Sequence, residues 1–298
     1  MLNIKYDIVG SFLRPAPIKE ARAKYAAGAI TLPELRSVEN AEISKLVEKE
    51  VAHGLKYVTD GEFRRRWWHL DWLKEFDGFT TQHLDRERNG VVNHIELGYI
   101  TGKVSYDPNR AHPEIEAYDF LRQEAAKYPG ITAKKCISGP NMLPVDHGQG
   151  GVFAYLGTKD FRQVEELRNQ GDETASAVFE ALAYQAAIRD LYDHGCRYLQ
   201  IDDTSWTYMI DENFLKKVAG LGYEKDEILD WFRQVSTKAL EGHPADMTIA
   251  NHFCKGNFKG HPLFAGFYDS VAPVISRIPY DGFFVEYDAE RSGSFDPW

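Results

Sequence analysis

Short runs rich in β-branched and aromatic residues recur along this chain, and most of them end in polar side chains or glycine. They fall at 7–11, 56–62, part of 94–106, 133–140, 198–203, 247–254 and 282–288, about seven in all. Helical patterns lie between them. Thr31-Leu32-Pro33-Glu34 has the spacing of a capping box with proline in the first turn, and Leu35, Val38, Ile43, Leu46, Val47 and Val51 follow on one broad face. Gly54 ends that helix before the next run. Ile228, Trp231, Phe232, Val235 and Ala239 form a second apolar stripe, and a long helical segment at 160–194 stops at Gly195 ahead of Tyr198. Strand, loop, helix, strand is the rhythm of an α/β protein with a parallel sheet.

Two observations narrow the class. No Gly-x-Gly-x-x-Gly follows the first run and no Walker sequence occurs, which removes the best support for a doubly wound nucleotide-binding fold. The polar residues instead collect where strands end: Ser11, Asp60 and Glu62, Asp202 and Asp203, His252 and Cys254, Glu286 and Asp288. That distribution predicts a TIM (β/α)8-type barrel with its site at the C-terminal ends of the strands. At 298 residues the chain suits one such domain over 1–298.

Composition excludes several functions. The net charge of −10 disfavours nucleic acid as a partner, because phosphate binding needs a basic surface. The basic groups Arg64-Arg65-Arg66 and Lys134-Lys135 suit a solvated face or a small anion. No apolar stretch approaches 18 residues and no charged-then-apolar leader is present, so no membrane partner and a cytoplasmic setting are expected. Cys136, Cys196 and Cys254 are odd in number and widely spaced, which argues against a disulfide framework.

Chemistry concentrates near the end of the chain. In a strand alternate side chains share a face, so His252 and Cys254 point the same way, and Glu286 ends the next apolar run. Imidazole, thiolate and carboxylate from two strand ends make the donor set of a catalytic zinc. The same residues are open to a plainer reading, a cysteine packed as a small hydrophobe and a histidine satisfying a backbone group.

Six motifs in one order support the zinc reading: Val9-Gly10-Ser11-Phe12, Thr59-Asp60-Gly61-Glu62, Ile137-Ser138-Gly139-Pro140, Leu199-Gln200-Ile201-Asp202-Asp203, His252-Phe253-Cys254 and Val285-Glu286. Together they resemble the catalytic C-terminal barrel of cobalamin-independent methionine synthase, in its short single-barrel branch. The resemblance implies zinc-dependent transfer of a methyl group from a methyltetrahydrofolate, typically polyglutamylated, to the thiol of homocysteine, giving methionine. A thiol with an ordinary pKa of ~8.5 is mostly protonated at neutral pH, and coordination removes its proton. By the same resemblance His252, Cys254 and Glu286 are the metal ligands, while Ser11, Glu62 and Asp202 contact homocysteine, the carboxylates facing its ammonium. The plainer readings are a helix cap for Asp202 and Asp203 and an ion pair with a nearby arginine for Glu62.

Departure of the methyl group from the folate nitrogen needs an acid, for which Asp203, Asp288 and His147 are the candidates. Trp67, Trp68, Trp72, Trp206 and Tyr208 offer a wall for a pterin, or alternatively core packing. The family usually carries a tryptophan soon after its Ser-Gly-Pro-like motif, where this chain has Asn141 to His147. The chain stops ten residues after Asp288 without the last helix and strand of a full barrel, or the further cysteine ligand the family draws from there. An incomplete barrel with unpaired edges is therefore expected, as a truncated form or one completed by association such as a homo-oligomer. Two alternatives stand beside methionine synthesis: alkyl transfer to another thiol such as coenzyme M, and a catalytically inactive zinc-binding homologue or fragment. The acidic residues favour an ammonium-bearing thiol over a sulfonate.

Overall fold

The computed structural model describes residues 6–88, 91–145, 176–220, 222–258, 261–262, 264, 266–287, 293–296 and 298. In chain order the elements are α1 (Ala16–Ala26), α2 (Leu32–Ala52), β1 (Tyr57–Val58), α3 (Leu70–Leu73), β2 (Asp77–Arg88), β3 (Val91–Ser105), α4 (Pro113–Ala125), β4 (Thr132–Ala133), β5 (Lys135–Ser138) and α5 (Met142–Val145). They continue with α6 (Ser176–Asp193), β6 (Tyr198–Asp202), α7 (Ser205–Tyr208), α8 (Glu212–Gly220), α9 (Lys225–Leu240), β7 (Thr248–Phe253), β8 (Asn257–Phe258), β9 (His261–Pro262), α10 (Ala272–Ile275) and β10 (Gly282–Val285).

The architecture is mixed α/β with parallel sheets. Four strands lie in the order β10-β7-β6-β5, all parallel, and β1 pairs in parallel with β4 as a separate ribbon. The expected single ring is thus not one continuous ladder among the described residues. The run at 7–11 is an extended segment outside any ladder, and 56–62 contributes only Tyr57 and Val58 to pairing. The shortening has a local cause, because Gly61 and Glu62 both take positive φ, 64° and 54°, and turn the chain away from its neighbour. Beside the parallel strands stands a long antiparallel hairpin, β2 with β3, of which sequence reading anticipated only the second strand.

The helices follow their patterns. Thr31 accepts from the Glu34 amide while Glu34 accepts from the Thr31 amide, closing the capping box at the head of α2. Leu35, Ile43, Leu46 and Val47 are buried along its inner face, with Val38 and Val51 half-buried. Gly54 takes a φ of 82° at the exit, a conformation that costs a side chain and suits glycine. In α9 the whole expected stripe, Ile228, Trp231, Phe232, Val235 and Ala239, is buried. Positions 160–175 of the long helical segment lie outside the described residues, and its remainder forms α6. Among the described residues no helix is long and apolar enough to cross a membrane.

The amino-terminal segment is held by polar contacts inside the protein. Lys134, fully buried, donates to Asp7 Oδ2 at 2.9 Å and to the Ile8 carbonyl at 2.6 Å, and its ammonium lies over the rings of Tyr198 and Phe284. Tyr198 donates to the same Asp7 oxygen at 2.7 Å, and Gln200 donates to the Val9 carbonyl at 2.9 Å. Phe12 N then reaches the Gly61 carbonyl at 3.2 Å. Removing one partner of a buried ion pair strands the other charge, so Lys134→Met should lower the unfolding free energy by about 3–5 kcal/mol in urea melts.

A second buried charge gives a pH signature. Glu50 of α2 accepts from the Thr59 amide and hydroxyl, yet burial pushes its carboxyl up to about 8. Folding therefore favours the protonated form, and the associated stability is full below the ordinary carboxyl pKa and is lost as pH rises through about 8. Glu50→Gln should flatten the fall in unfolding free energy between pH 5 and 8, by at most about 1.4 kcal/mol per pH unit, measured by urea unfolding at stepped pH.

Candidate active site

Neighbouring strands bring distant residues into one row at the ends of the sheet. Ser138 pairs with Asp202, Asp202 with His252, and His252 with Phe284 across β5, β6, β7 and β10. Cys254 and Glu286 follow one step beyond the ladder on adjacent strands. This register places His252 Nδ1 2.9 Å from Asp202 Oδ1, and the imidazole is also hydrogen-bonded to the Cys254 side chain. Burial by itself would depress His252, but its hydrogen bonds to Asp202, whose carboxylate accepts, and to Cys254 prevail and raise it to about 9. Gln200 donates to the same Asp202 oxygen at 2.6 Å, which fixes the carboxylate from behind.

Glu286 comes to the same end of the sheet, where its Oε2 accepts from the Lys255 amide at 2.8 Å. As they stand, no three His, Cys, Asp or Glu side chains among the described residues are arranged to hold a metal ion. The donor chemistry nonetheless fits zinc. With Nδ1 committed to Asp202, His252 has Nε2 to offer, Cys254 is beside it, and Glu286 needs a change of rotamer from the Lys255 amide.

Glu62 and Asp202 line one cleft together with Arg64, Arg65, Trp67, Trp68, Trp72 and Cys136. Glu62 carries the one positive φ of a non-glycine residue among those described, and its carboxylate pairs with Arg65. Its carbonyl accepts from Arg14 at 3.0 Å and its amide donates to Asp60 at 2.8 Å, so the turn is held on both sides. Ser11 is exposed and no hydrogen bond joins it to Glu62 or Asp202, although its neighbour Phe12 bonds to Gly61. Trp67 and Trp68 face the cleft at partial exposure, and Trp67 Nε1 donates to Glu96 of the hairpin at 2.7 Å. Trp206 is wholly buried against Phe232 and belongs to the core.

Asp203 points elsewhere. It is fully buried, accepts from the Ser205 amide at 3.1 Å and hydroxyl and from Asn141 at 3.0 Å, and burial lifts its carboxyl to about 6. Asp288 and His147 lie outside the described residues. Sequence reading missed one contact and two members of the neighbourhood. The Asp202–His252 bond depends on strand order. Arg65 was visible only as part of a basic run. Cys136 is a thiol that burial and the nearby Asp202 charge push up to about 12, which favours its protonated form.

No family model matches the chain. It is 38% identical over 295 residues to the uncharacterized protein YxjH of Bacillus subtilis, covering 98% of this chain and 72% of that one, and equally to YxjG of the same organism. It is 24% identical over 288 residues to the 5-methyltetrahydropteroyltriglutamate–homocysteine methyltransferase of Nitrosomonas europaea, of which it spans 32%. Among solved structures it resembles a putative vitamin-B12 independent methionine synthase from Listeria monocytogenes, with a TM-score of 0.69, 35% identity, and coverage of 94% of this chain and 72% of that one. A B12-independent methionine synthase from Shewanella is alike in fold, with a TM-score of 0.56, 17% identity, and coverage of 86% and 65%.

The raised His252 pKa yields a direct test of the register. Asp202→Asn removes the charged acceptor, so burial should then dominate and the His252 midpoint should fall by at least one pH unit. Titration of the imidazole nitrogens by NMR on metal-free protein, wild type against variant, measures it.

Proposed function

The chain belongs to the vitamin-B12-independent methionine synthase family, and on that premise we propose that it transfers a methyl group to the thiol of homocysteine, giving methionine, at a zinc held by His252, Cys254 and Glu286. The observation that carries this reading is the convergence of Asp202, His252 and Cys254 in one hydrogen-bonded series beside the end of β10. Bound zinc would supply the acidity that turns the substrate thiol into a thiolate at neutral pH. Within the proposal the parallel strands form one (β/α)8-type barrel domain over 1–298, and the protein works in the cytoplasm.

The residues of the chain divide the remaining work. Asp202 fixes the His252 ring and its tautomer, as carboxylates behind metal-binding histidines do. Asp202 and Glu62 present negative charge to the cleft, which suits an ammonium and opposes a sulfonate, so homocysteine is favoured over coenzyme M. Ser11 completes this subsite if it turns inward from its exposed position. Trp67 and Trp68 offer flat faces to a methyltetrahydrofolate donor at the same cleft. Asp203, with its oxygens engaged by Asn141 and Ser205, acts by positioning the loop that follows β6, which leaves Asp288 and His147 as the candidates to supply the proton needed by the folate nitrogen.

Metal content by elemental analysis, after zinc reconstitution, tests the assignment. The wild type should carry close to one zinc per chain, and Cys254→Ser should lose most of it together with methylation of homocysteine. Full zinc occupancy in Cys254→Ser would sink the ligand set, and a zinc-loaded wild type that methylates nothing would favour the inactive homologue.

A further inference from the structure

The hairpin of β2 and β3 stands outside the parallel ladders, and one of its carboxylates reaches toward the cleft. Glu96 of β3 is buried, its side chain 3% exposed, and it does not itself line the cleft. Its Oε1 accepts from Thr81 of β2 at 2.7 Å and from Lys74, at the end of α3, at 2.6 Å, while its Oε2 accepts from the Trp67 indole at 2.7 Å. Burial by itself would raise this carboxyl, but the hydrogen bonds from Lys74, Thr81 and Trp67 and the Lys74 charge prevail and hold it at about 2. The part of the hairpin that carries Glu96 is itself fixed. Phe79 of β2 is buried over Gly98, where a β-carbon would come within 2.5 Å of its ring, and Val104 and Tyr106 are buried in the core. Of the three tryptophans lining the cleft, Trp72 belongs to the core and Trp68 lies against the ring of His69, with centroids 4.6 Å apart. Trp67 is half-buried and is the one whose N–H is taken by the hairpin.

We propose that Glu96 is a positioning residue for the methyl donor, setting through Trp67 Nε1 the plane of the wall against which the donor's flat ring lies, an assignment that rests on the methyltetrahydrofolate reading above. A half-buried indole has two torsions to settle, and without a fixed partner it is free to change rotamer. A hydrogen bond to an ionised acceptor is roughly twice as strong as a neutral one, and it selects one orientation. Stacking depends on that orientation, because a tilted ring loses contact with a flat ligand. The groups proposed for the amino acid are held by other means, Asp202 by Gln200 and Glu62 by Arg65, so Glu96 acts on the donor side alone. Support of this kind, from a buried side chain behind the one that meets ligand, is what keeps a site at its productive geometry.

Titration calorimetry on zinc-reconstituted protein, with 5-methyltetrahydrofolate and methionine as separate probes, compares wild type, Glu96→Ala, Trp67→Phe and the double variant, with folding checked by circular dichroism. Glu96→Ala should weaken 5-methyltetrahydrofolate by about 10-fold and methionine by less than about 2-fold. Phenylalanine keeps a flat wall but has no N–H, so in the Trp67→Phe background the same alanine substitution should weaken the donor by less than about 2-fold. If Glu96 merely held the hairpin through Thr81 and Lys74, its loss would be as large in that background as in the wild type, and that result overturns the proposal. A Glu96→Ala protein that keeps full donor affinity, or that loses both ligands alike, also overturns it. Should Glu96→Ala not fold, Glu96→Asp, whose carboxylate falls one methylene short of the indole, takes its place under the same criteria. A wild type that binds methionine but not 5-methyltetrahydrofolate brings down the donor reading itself, and the role of Glu96 falls with it.

Discussion

A lysine ammonium with no access to water must be paired, and in this protein the pairing ties the amino-terminal segment to the parallel strands. Lys134 stands between β4 and β5 and holds Asp7 and Ile8, while Tyr198 and Gln200 of β6 hold Asp7 and Val9. The segment lacks a strand ladder, so these polar contacts replace the backbone bonds that would otherwise fix it. Phe12 can then meet Gly61, and the turn carrying Glu62 faces the end of β6. The cleft is thus positioned from the interior outward, by a charge that would be destabilising if either partner were missing.

The same dependence on order in space governs the metal-binding side. Asp202 and His252 are separated by 50 residues, yet they are register partners on adjacent strands. Side chains on one face of neighbouring strands stand close enough to bond when their positions coincide. A slip of one residue would turn His252, and Cys254 with it, to the opposite face and away from Asp202. The apolar packing that fixes register, including Ile201, Ile249 and Phe253, all essentially inaccessible, therefore also sets the ionisation of the imidazole.

What periodicity encodes could be read in advance. The inner faces of α2 and α9, the capping box at Thr31 and the strand ends carrying Asp202 and His252 follow from local spacing. The hairpin of β2 and β3 could not be read this way, because Asp77 to Arg88 is largely polar and its strand character comes from backbone pairing with β3. Glu39 and Glu50 look like solvated positions of a helix. They are buried because Arg22 and Arg64 reach one and Thr59 the other, partners that only the folded chain brings near. The candidate ligands were legible as residue types, whereas the bond from Asp202 to His252 and the pairing of Glu62 with Arg65 required three dimensions. The same limit applied to the two adjacent aspartates, whose chemistry is identical and whose surroundings are not.

Asp202 and Asp203 leave β6 in opposite directions, as successive strand residues do. The first reaches His252 and the cleft. The second is directed beneath the loop after β5, where Gly139 leaves room for it: a β-carbon at Gly139 would sit 2.6 Å from that of Asp203. Asn141 then bonds to Asp203, to Ser236 and to the Phe232 carbonyl, joining the loops after β5 and β6 to α9. The Ser138-Gly139-Pro140 motif is accordingly a steric provision for a buried carboxylate, and the carboxylate is in turn the anchor of two loops at the rim of the site. Division of labour between neighbouring aspartates, one presented to ligand and one spent on the scaffold, explains why both stand at the strand end while only one lines the cleft.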